Sequence, residues 1–233
     1  MVTLARRIEP LEKDAELIRR RHRVEVKPVS MDLAAPDLAE QFSAAIDGLD
    51  VGLCIYNACY SAIGEFKDTA LDQYQKTLDV NCRGPVTLAN VMTPRLVERG
   101  KGGLIIMSSM AGFQGSAMVG VYAATKAFDT ILAESLWAEL QPLGIDVLGC
   151  IAGATETPDF LRKTPADKKD KAFPMRPEAV AREGIEHLGK GPLHICGRMN
   201  RSVNAVTRIM SHKQRTKFFS GATRDIYESA TEA

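Results

Sequence analysis

Short strand-forming runs alternate with helical stretches along most of this chain, and that alternation constrains the fold more than any other feature. Met1–Ala5 reads as a short strand and Arg7–Arg20 as an amphipathic helix with Leu11, Ala15 and Ile18 on one side. Val24–Val29 is the next strand, and Pro36–Ile46 the next helix, with a proline near its first turn. Val51–Tyr56 follows as a buried strand, then Thr69–Val97 as a long helical region that Gly84-Pro85 and Pro94 should interrupt. Gly103–Ser108, Ile145–Ile151 and Pro192–Cys196 complete the strands; Gly120–Leu140, Pro177–Leu188 and Asn200–Lys213 complete the helices. Strands and helices of these lengths in alternation predict an α/β fold with a doubly wound, mainly parallel sheet. The length suits one domain over residues 1–233.

Charge and cysteine usage narrow the function classes. A formal net charge of +1 gives no global field that would draw nucleic acid or an acidic membrane. The run Arg19-Arg20-Arg21-His22-Arg23 reads as a solvated helix end. Five cysteines (Cys54, Cys59, Cys82, Cys150 and Cys196) are odd in number and scattered, which points to reduced thiols and a cytoplasmic setting. No apolar run approaches the roughly 20 residues of a membrane span. His187, His194 and Cys196 are the nearest approach to a metal cluster, but their spacing fits no common zinc pattern, so no metal is expected.

The chemistry is carried by Ser109, Tyr122 and Lys126, with thirteen positions from serine to tyrosine and four from tyrosine to lysine. Four positions is one helical turn, so Tyr122 and Lys126 project from one face. An ammonium beside a phenol lowers a pKa that is otherwise about 10. A serine hydroxyl at a strand end can hydrogen-bond a substrate oxygen next to that phenol. Together they form a proton donor or acceptor suited to carbonyl and alcohol chemistry.

These residues sit in a wider pattern. IIMSSMAG (Ile105–Gly112), VYAATKAF (Val121–Phe128), LDVNCRG (Leu78–Gly84), IYNACYSAIGEF (Ile55–Phe66) and IAGATETP (Ile151–Pro158) together resemble the motifs of the short-chain dehydrogenase/reductase family. The resemblance runs from Met1 to about His212. It implies a Rossmann-like sheet and an NADP(H)-dependent oxidoreductase that passes a hydride between nicotinamide and a carbonyl or secondary alcohol. By resemblance Tyr122 is general acid or base, Lys126 lowers its pKa and holds the nicotinamide ribose, and Ser109 holds the carbonyl oxygen. Asn81 helps organise a water that connects to the lysine; Ser108 is a less well spaced substitute for Ser109.

The same resemblance assigns the cofactor contacts. Arg6 and Arg7, just after a strand and with no acid before Glu9, suit the 2′-phosphate of NADP rather than the 2′-hydroxyl of NAD. Asp32 and Leu33 resemble the adenine-contacting pair, Asn57 and Ala58 the strand-end pair, and Gly153, Thr155 and Thr157 the nicotinamide loop. A lipophilic substrate, 3-oxoacyl-like or steroid-like, is expected because Met110–Tyr122 (MAGFQGSAMVGVY) is apolar. Residues 156–176, polar and lysine-rich, are a surface loop and a candidate substrate lid. Arg201–Phe219, with Val203, Val206, Ile209 and Met210 along one face, is expected to dock as an amphipathic helix. A homodimer or homotetramer through Thr69–Val97 and Gly120–Leu140 is implied.

The chain also departs from the pattern. Cys59 stands in place of a glycine, Tyr56 in place of an asparagine and Ala152 in place of a proline. The family's first strand, TGxxxGxG loop and first helix have no counterpart, and the first glycine is Gly48. Roughly 30 to 35 residues of such a unit are missing. The missing strand would lie between Met1–Ala5 and Val51–Tyr56, leaving them about 9.6 Å apart, two strand spacings. The expectation is an N-terminally truncated domain whose natural start lies upstream. The competing reading is a nucleotide-binding-deficient relative that acts as a non-enzymatic assembly partner.

Overall fold

In a computed structural model, which describes residues 1–227, two eight-residue strands form the centre of the molecule. These are β4 (Gly102–Ser109) and β5 (Ile145–Ala152), parallel and paired over their whole length from Gly102↔Ile145 to Ser109↔Ala152. Their side chains divide by parity, as a pleated strand requires. Leu104, Ile106, Ile145 and Val147 enter one core, and Ile105, Leu148 and Cys150 the other. Strands buried on both faces are nearly continuous apolar runs, the mark of a parallel sheet between helices.

Around them the remaining strands are β1 (Val2–Ala5), β2 (Lys27–Ser30), β3 (Leu53–Tyr56) and β6 (Leu193–Ile195). The pairing is entirely parallel, in two groups: β3-β4-β5-β6, and β1 with β2. The helices of eight or more residues are α1 (Ile8–His22), α2 (Leu38–Ala45), α3 (Leu71–Leu78), α4 (Gly84–Arg99), α5 (Gly120–Leu140), α7 (Pro177–His187), α8 (Arg198–Thr207) and α9 (His212–Tyr227); α6 (Pro158–Lys163) is shorter. Leu38 and Phe42 of α2, Leu88, Met92 and Leu96 of α4, and Ala133 and Leu140 of α5 fill the first core. Val180 of α7 fills the second. Helices on both faces of a parallel sheet make the fold doubly wound and Rossmann-like, as expected.

The β1–β2 unit is tied in by side chains. Val2, Leu4, Val29 and Met31 pack against the first core. Arg83 donates to the carbonyls of Ala34 (2.6 Å) and Ala35 (2.8 Å), and Lys27 to that of Ala45 (2.9 Å). Between β1 and β3 there is no pairing; a cleft of about 1520 Å³ lies there, lined by residues of both strands.

Four expectations need correction. Pro94 lies inside α4 instead of ending it. The fully buried Met92 and Leu96 on either side account for this, since burying each contributes about 1.5–3 kcal/mol against about 3 kcal/mol for an interior proline. The helical region from Leu71 to Arg99 is broken instead at Asp79–Arg83, a wide π-type turn. Strand β2 starts at Lys27, not Val24, because Arg23 closes α1 in a left-handed conformation (φ 53°). The expected last helix over Asn200–Lys213 is two helices, α8 and α9. A reciprocal capping box splits them: the Gln214 N–H donates to Ser211 Oγ (3.3 Å), and the Ser211 N–H donates to Gln214 Oε1 (3.0 Å). Ile209, in the intervening turn, is 88% exposed and Val206 64%, whereas Val203 and Met210 are half-buried, so only half of the face expected to dock does so.

Candidate active site

Ser109 ends β4 and Tyr122 and Lys126 lie in the first two turns of α5, so one strand end and one helix start converge. Gly112 sets how closely they approach. A Cβ there would meet the carbonyl carbon of Lys126 at 2.6 Å and its oxygen at 2.8 Å, so only glycine lets the turn after β4 lie on α5. Ser108 is buried and committed to the same contact: it donates to the Lys126 carbonyl (2.7 Å) and bonds Thr130 Oγ1 (2.8 Å). Ser109 is the serine whose hydroxyl acts on the Tyr122 phenol, and it also accepts from the Ala111 N–H (3.2 Å).

The electrostatics of the trio are set by burial. Burial pushes the Tyr122 phenol up, while the Lys126 ammonium and the Ser109 hydrogen bond restrain the rise without cancelling it. For Lys126 burial acts downward, but its neighbours Tyr122 and Asp129 more than offset it, and the ammonium is held above its ordinary value. Its Nζ donates to the Met107 carbonyl (2.8 Å) and to Asp129 Oδ2 (2.9 Å), and lies 5.9 Å from the centroid of the Tyr122 ring. At ordinary pH the lysine is therefore charged and the phenol protonated.

Asn81 lies in the π-type turn and is fully buried. Its Nδ2 donates to the Tyr60 carbonyl (2.9 Å) and to Thr125 Oγ1 (2.9 Å), and its Oδ1 accepts from the Tyr60 N–H (2.8 Å). It thus clamps the loop after β3 to α5, one residue from Lys126. Tyr56, the departure at the end of β3, donates to the Val80 carbonyl. Its hydroxyl occupies the space where a Cβ of Gly84 would lie, which explains why glycine follows the turn.

The residues expected to hold a nucleotide fall into two sets. Arg6, Asp32, Leu33, Asn57 and Ala58 all line the β1–β3 cleft, together with Cys59. Cys59 is among the groups that act on both Tyr122 and Lys126, so that end of the cleft adjoins the proton-handling trio. Arg7, the residue before α1, does not line the cleft. Asp32 accepts from the Ala34 N–H (3.0 Å), and Leu33 is largely buried in the core. Gly153, Thr155 and Thr157 lie beyond β5, outside the cleft lining. Thr157 caps α6 by accepting from the Phe160 N–H (3.2 Å), and Thr155 bridges to Met175.

Two features escaped the sequence reading. The first is Asp129, buried one turn from Lys126 on the same helix face; an acid three positions after the lysine was the available signal. The second is α9. Ser220 and Thr223 bond the loop before α5 at Ala117 and Ser116, and Asp225 pairs with Lys168 and Lys171 of the 156–176 segment. Tyr227 is near enough to Tyr122 for its charge to be felt there.

His194 and Cys196, weighed as metal ligands, lie with Glu183 in one cluster, but Glu183 is already engaged by His194 Nε2 (2.7 Å), Arg201 (3.1 Å) and the Gly197 N–H (3.1 Å). This network fastens the end of β6 to α7.

Comparison with known proteins bears on the family and the fold. The sequence model of the short chain dehydrogenase family matches residues 1–168. A 7beta-hydroxysteroid dehydrogenase of Clostridium sardiniense is 32% identical over 201 residues, covering 86% of this chain and 77% of that protein. A very-long-chain 3-oxoacyl-CoA reductase of Aspergillus fumigatus is 31% identical over 151 residues, 63% of this chain and 44% of that one. A solved 7beta-hydroxysteroid dehydrogenase structure superposes with a TM-score of 0.87 at 29% identity, covering 94% of this chain and 86% of that chain.

Proposed function

The chain belongs to the short-chain dehydrogenase family of nicotinamide-dependent oxidoreductases, and on that premise we propose that it interconverts a lipophilic ketone and secondary alcohol using NADP(H). The observation that carries this reading is the Tyr122 phenol, acted on by the Ser109 hydroxyl and by the Lys126 ammonium 5.9 Å from its ring centroid, beside the β1–β3 cleft. Bound nicotinamide supplies the hydride chemistry; everything else falls to the residues present. Ser109 orients the substrate oxygen, and Tyr122 gives its proton to that oxygen in reduction and takes it back in oxidation. Lys126 stabilises the phenolate left behind. Asn81 holds the loop carrying Asn57 and Ala58 against α5, so that the cofactor and proton-transfer sides stay in register.

The cleft fits the ends of a dinucleotide better than its middle. Arg6 suits a 2′-phosphate, and Asp32, Leu33, Asn57 and Ala58 border the same space. Among the described residues no glycine-rich turn feeding a helix N-terminus lines it, so a pyrophosphate there lacks its usual backbone cradle. The substrate preference rests on the relatives' named activities and on Phe66, Leu161 and Phe173, which are exposed on segments around the site. The loop first expected to supply that apolar surface turns inward: Met110, Met118 and Val119 are buried. Residues 156–176, joined to α9 and through Lys163 to Ser61, act as the substrate cover in this reading. Val86 and Val97 of α4 and Phe128 and Ile131 of α5 are exposed along the helices through which a homodimer or homotetramer would form. The unpaired thiols suit a reducing cytoplasm, and no helix of the described residues is long and apolar enough to cross a membrane.

The test is NADPH titration followed by turnover on a panel of hydroxysteroids and 3-oxoacyl thioesters. Tyr122→Phe should lower kcat by about 10²–10⁴ while leaving NADPH binding intact. Full turnover by that variant would refute the role given to Tyr122, and absence of saturable NADPH binding would refute the cofactor reading.

A further inference from the structure

Asp129 is the one fully buried carboxyl group among the described residues, and it stands one turn along α5 from the equally buried Lys126. Its Oδ2 accepts from Lys126 Nζ at 2.9 Å, whereas Oδ1 is buried with no hydrogen-bond partner among the described residues. An orphaned carboxylate oxygen in the interior is costly. The ammonium that should serve Tyr122 is meanwhile 5.9 Å from the phenol ring centroid and in direct contact with the carboxylate. We propose that Asp129 is a positioning residue that competes with Tyr122 for the Lys126 ammonium, and thereby sets how far that ammonium eases ionisation of the phenol. The proposal rests on the reading of Tyr122 as the proton-transfer group.

Other titratable groups surround the pair. Besides Lys126, Asp129 faces Tyr56 at the end of β3 and Cys82 in the π-type turn, and both feel its charge. Burial first and Asp129 second push the Cys82 thiol up to about 11 and the Tyr56 phenol up as well, so both are neutral through the ordinary range. Cys59, at the cleft end, acts on Lys126 and on Tyr122. Lys126 and Asp129 are then opposite charges in direct contact, and the ammonium whose charge acts on Tyr122 is shared with the carboxylate. Burial raises the Asp129 carboxyl to about 6, with Lys126 restraining the rise. Below that value the carboxyl is protonated and the ammonium acts on Tyr122 uncompensated; above it the pair re-forms.

The experiment is a tyrosine-13Cζ and lysine-15Nζ titration of the whole chain by NMR, with Tyr122→Phe assigning the Tyr122 signal. In Asp129→Asn the Tyr122 phenol should titrate at lower pH than in the wild type; an unchanged or higher midpoint overturns the proposal. A structural role alone would lower the melting temperature and leave that midpoint where it was. Should Asp129→Asn fail to fold, the wild type still decides. Its Lys126 and Tyr122 signals should share a step centred near pH 6, and flat signals there refute the idea. The titration requires no substrate, so it separates this inference from the proposed reaction. A shifted Tyr122 in a protein that turns over no carbonyl would sink the reaction and keep the competition. Turnover that depends on Tyr122, with a midpoint indifferent to Asp129, would do the reverse.

Discussion

Strands β4 and β5 are each paired on both sides along a buried sheet, whereas β1 and β2 pair only with each other and bury none of their eight residues fully. The proton-handling residues hang from the first region, and Arg6, Asp32 and Leu33 border the cleft from the second. The difference separates two kinds of precision. Ser109, Tyr122 and Lys126 are fixed by strand pairing, by the Gly112 contact and by a saturated Asn81. The nucleotide side is held through Arg83, Lys27, the buried Met31 and Leu33 beyond β2, and the half-buried Val2, Leu4 and Val29 of the strands themselves. Acid–base geometry is thus built into the rigid centre, and cofactor geometry depends on a more weakly tethered flank.

Substitution at Gly112 gives the harshest trial of that contrast. Gly112→Val drives a branched side chain into the Lys126 backbone, with an expected cost of about 3 kcal/mol or more. Calorimetry should show melting lowered by roughly 6–12 °C, and a melting point within a degree of the wild type would mean that the centre yields easily. Hydrogen exchange gives the next largest effect. The amides of Ile105 and Leu148 should be at least about tenfold better protected than those of Leu4 and Val29, and equal protection would erase the distinction between the two regions. The smallest effect is expected from Arg99→Ala. Its pair with Asp50 (2.7 Å) spans α4 and the segment before β3 but is exposed to solvent, so melting should not change measurably at physiological salt.

Much of this was legible in the sequence, for identifiable reasons. The bounds of α5, Gly120–Leu140, are those expected, and β4 and β5 each lie within one residue, because long buried elements announce themselves by apolar continuity. What stayed hidden depends on three-dimensional partners. Nothing local distinguishes a tolerated Pro94 from a helix-breaking one; Met92 and Leu96 decide it by their burial. Gly84 read as a kink because its real neighbour, the Tyr56 hydroxyl, comes from 28 positions earlier. The split between α8 and α9 was different in kind. The Ser211-x-x-Gln214 box stood in plain view, and the apolar stripe through Ile209 outweighed it wrongly.

The order of the sheet has one further consequence, for how the chain behaves in company. Strand β2 is an outer strand and is composed as one: Lys27 and Pro28 sit on it, and the Lys27 and Met31 amides bond β1, so the position without an N–H faces outward. The edges of β1 and β3 that border the cleft carry no such protection. Leu4 lies on one, and Leu53 and Ile55, more than two-fifths exposed, lie on the other. Two short apolar edges with free backbone groups form a template on which another polypeptide can add as a strand. The space read here as the cofactor's is thus also where crowding and concentration act on the chain most directly.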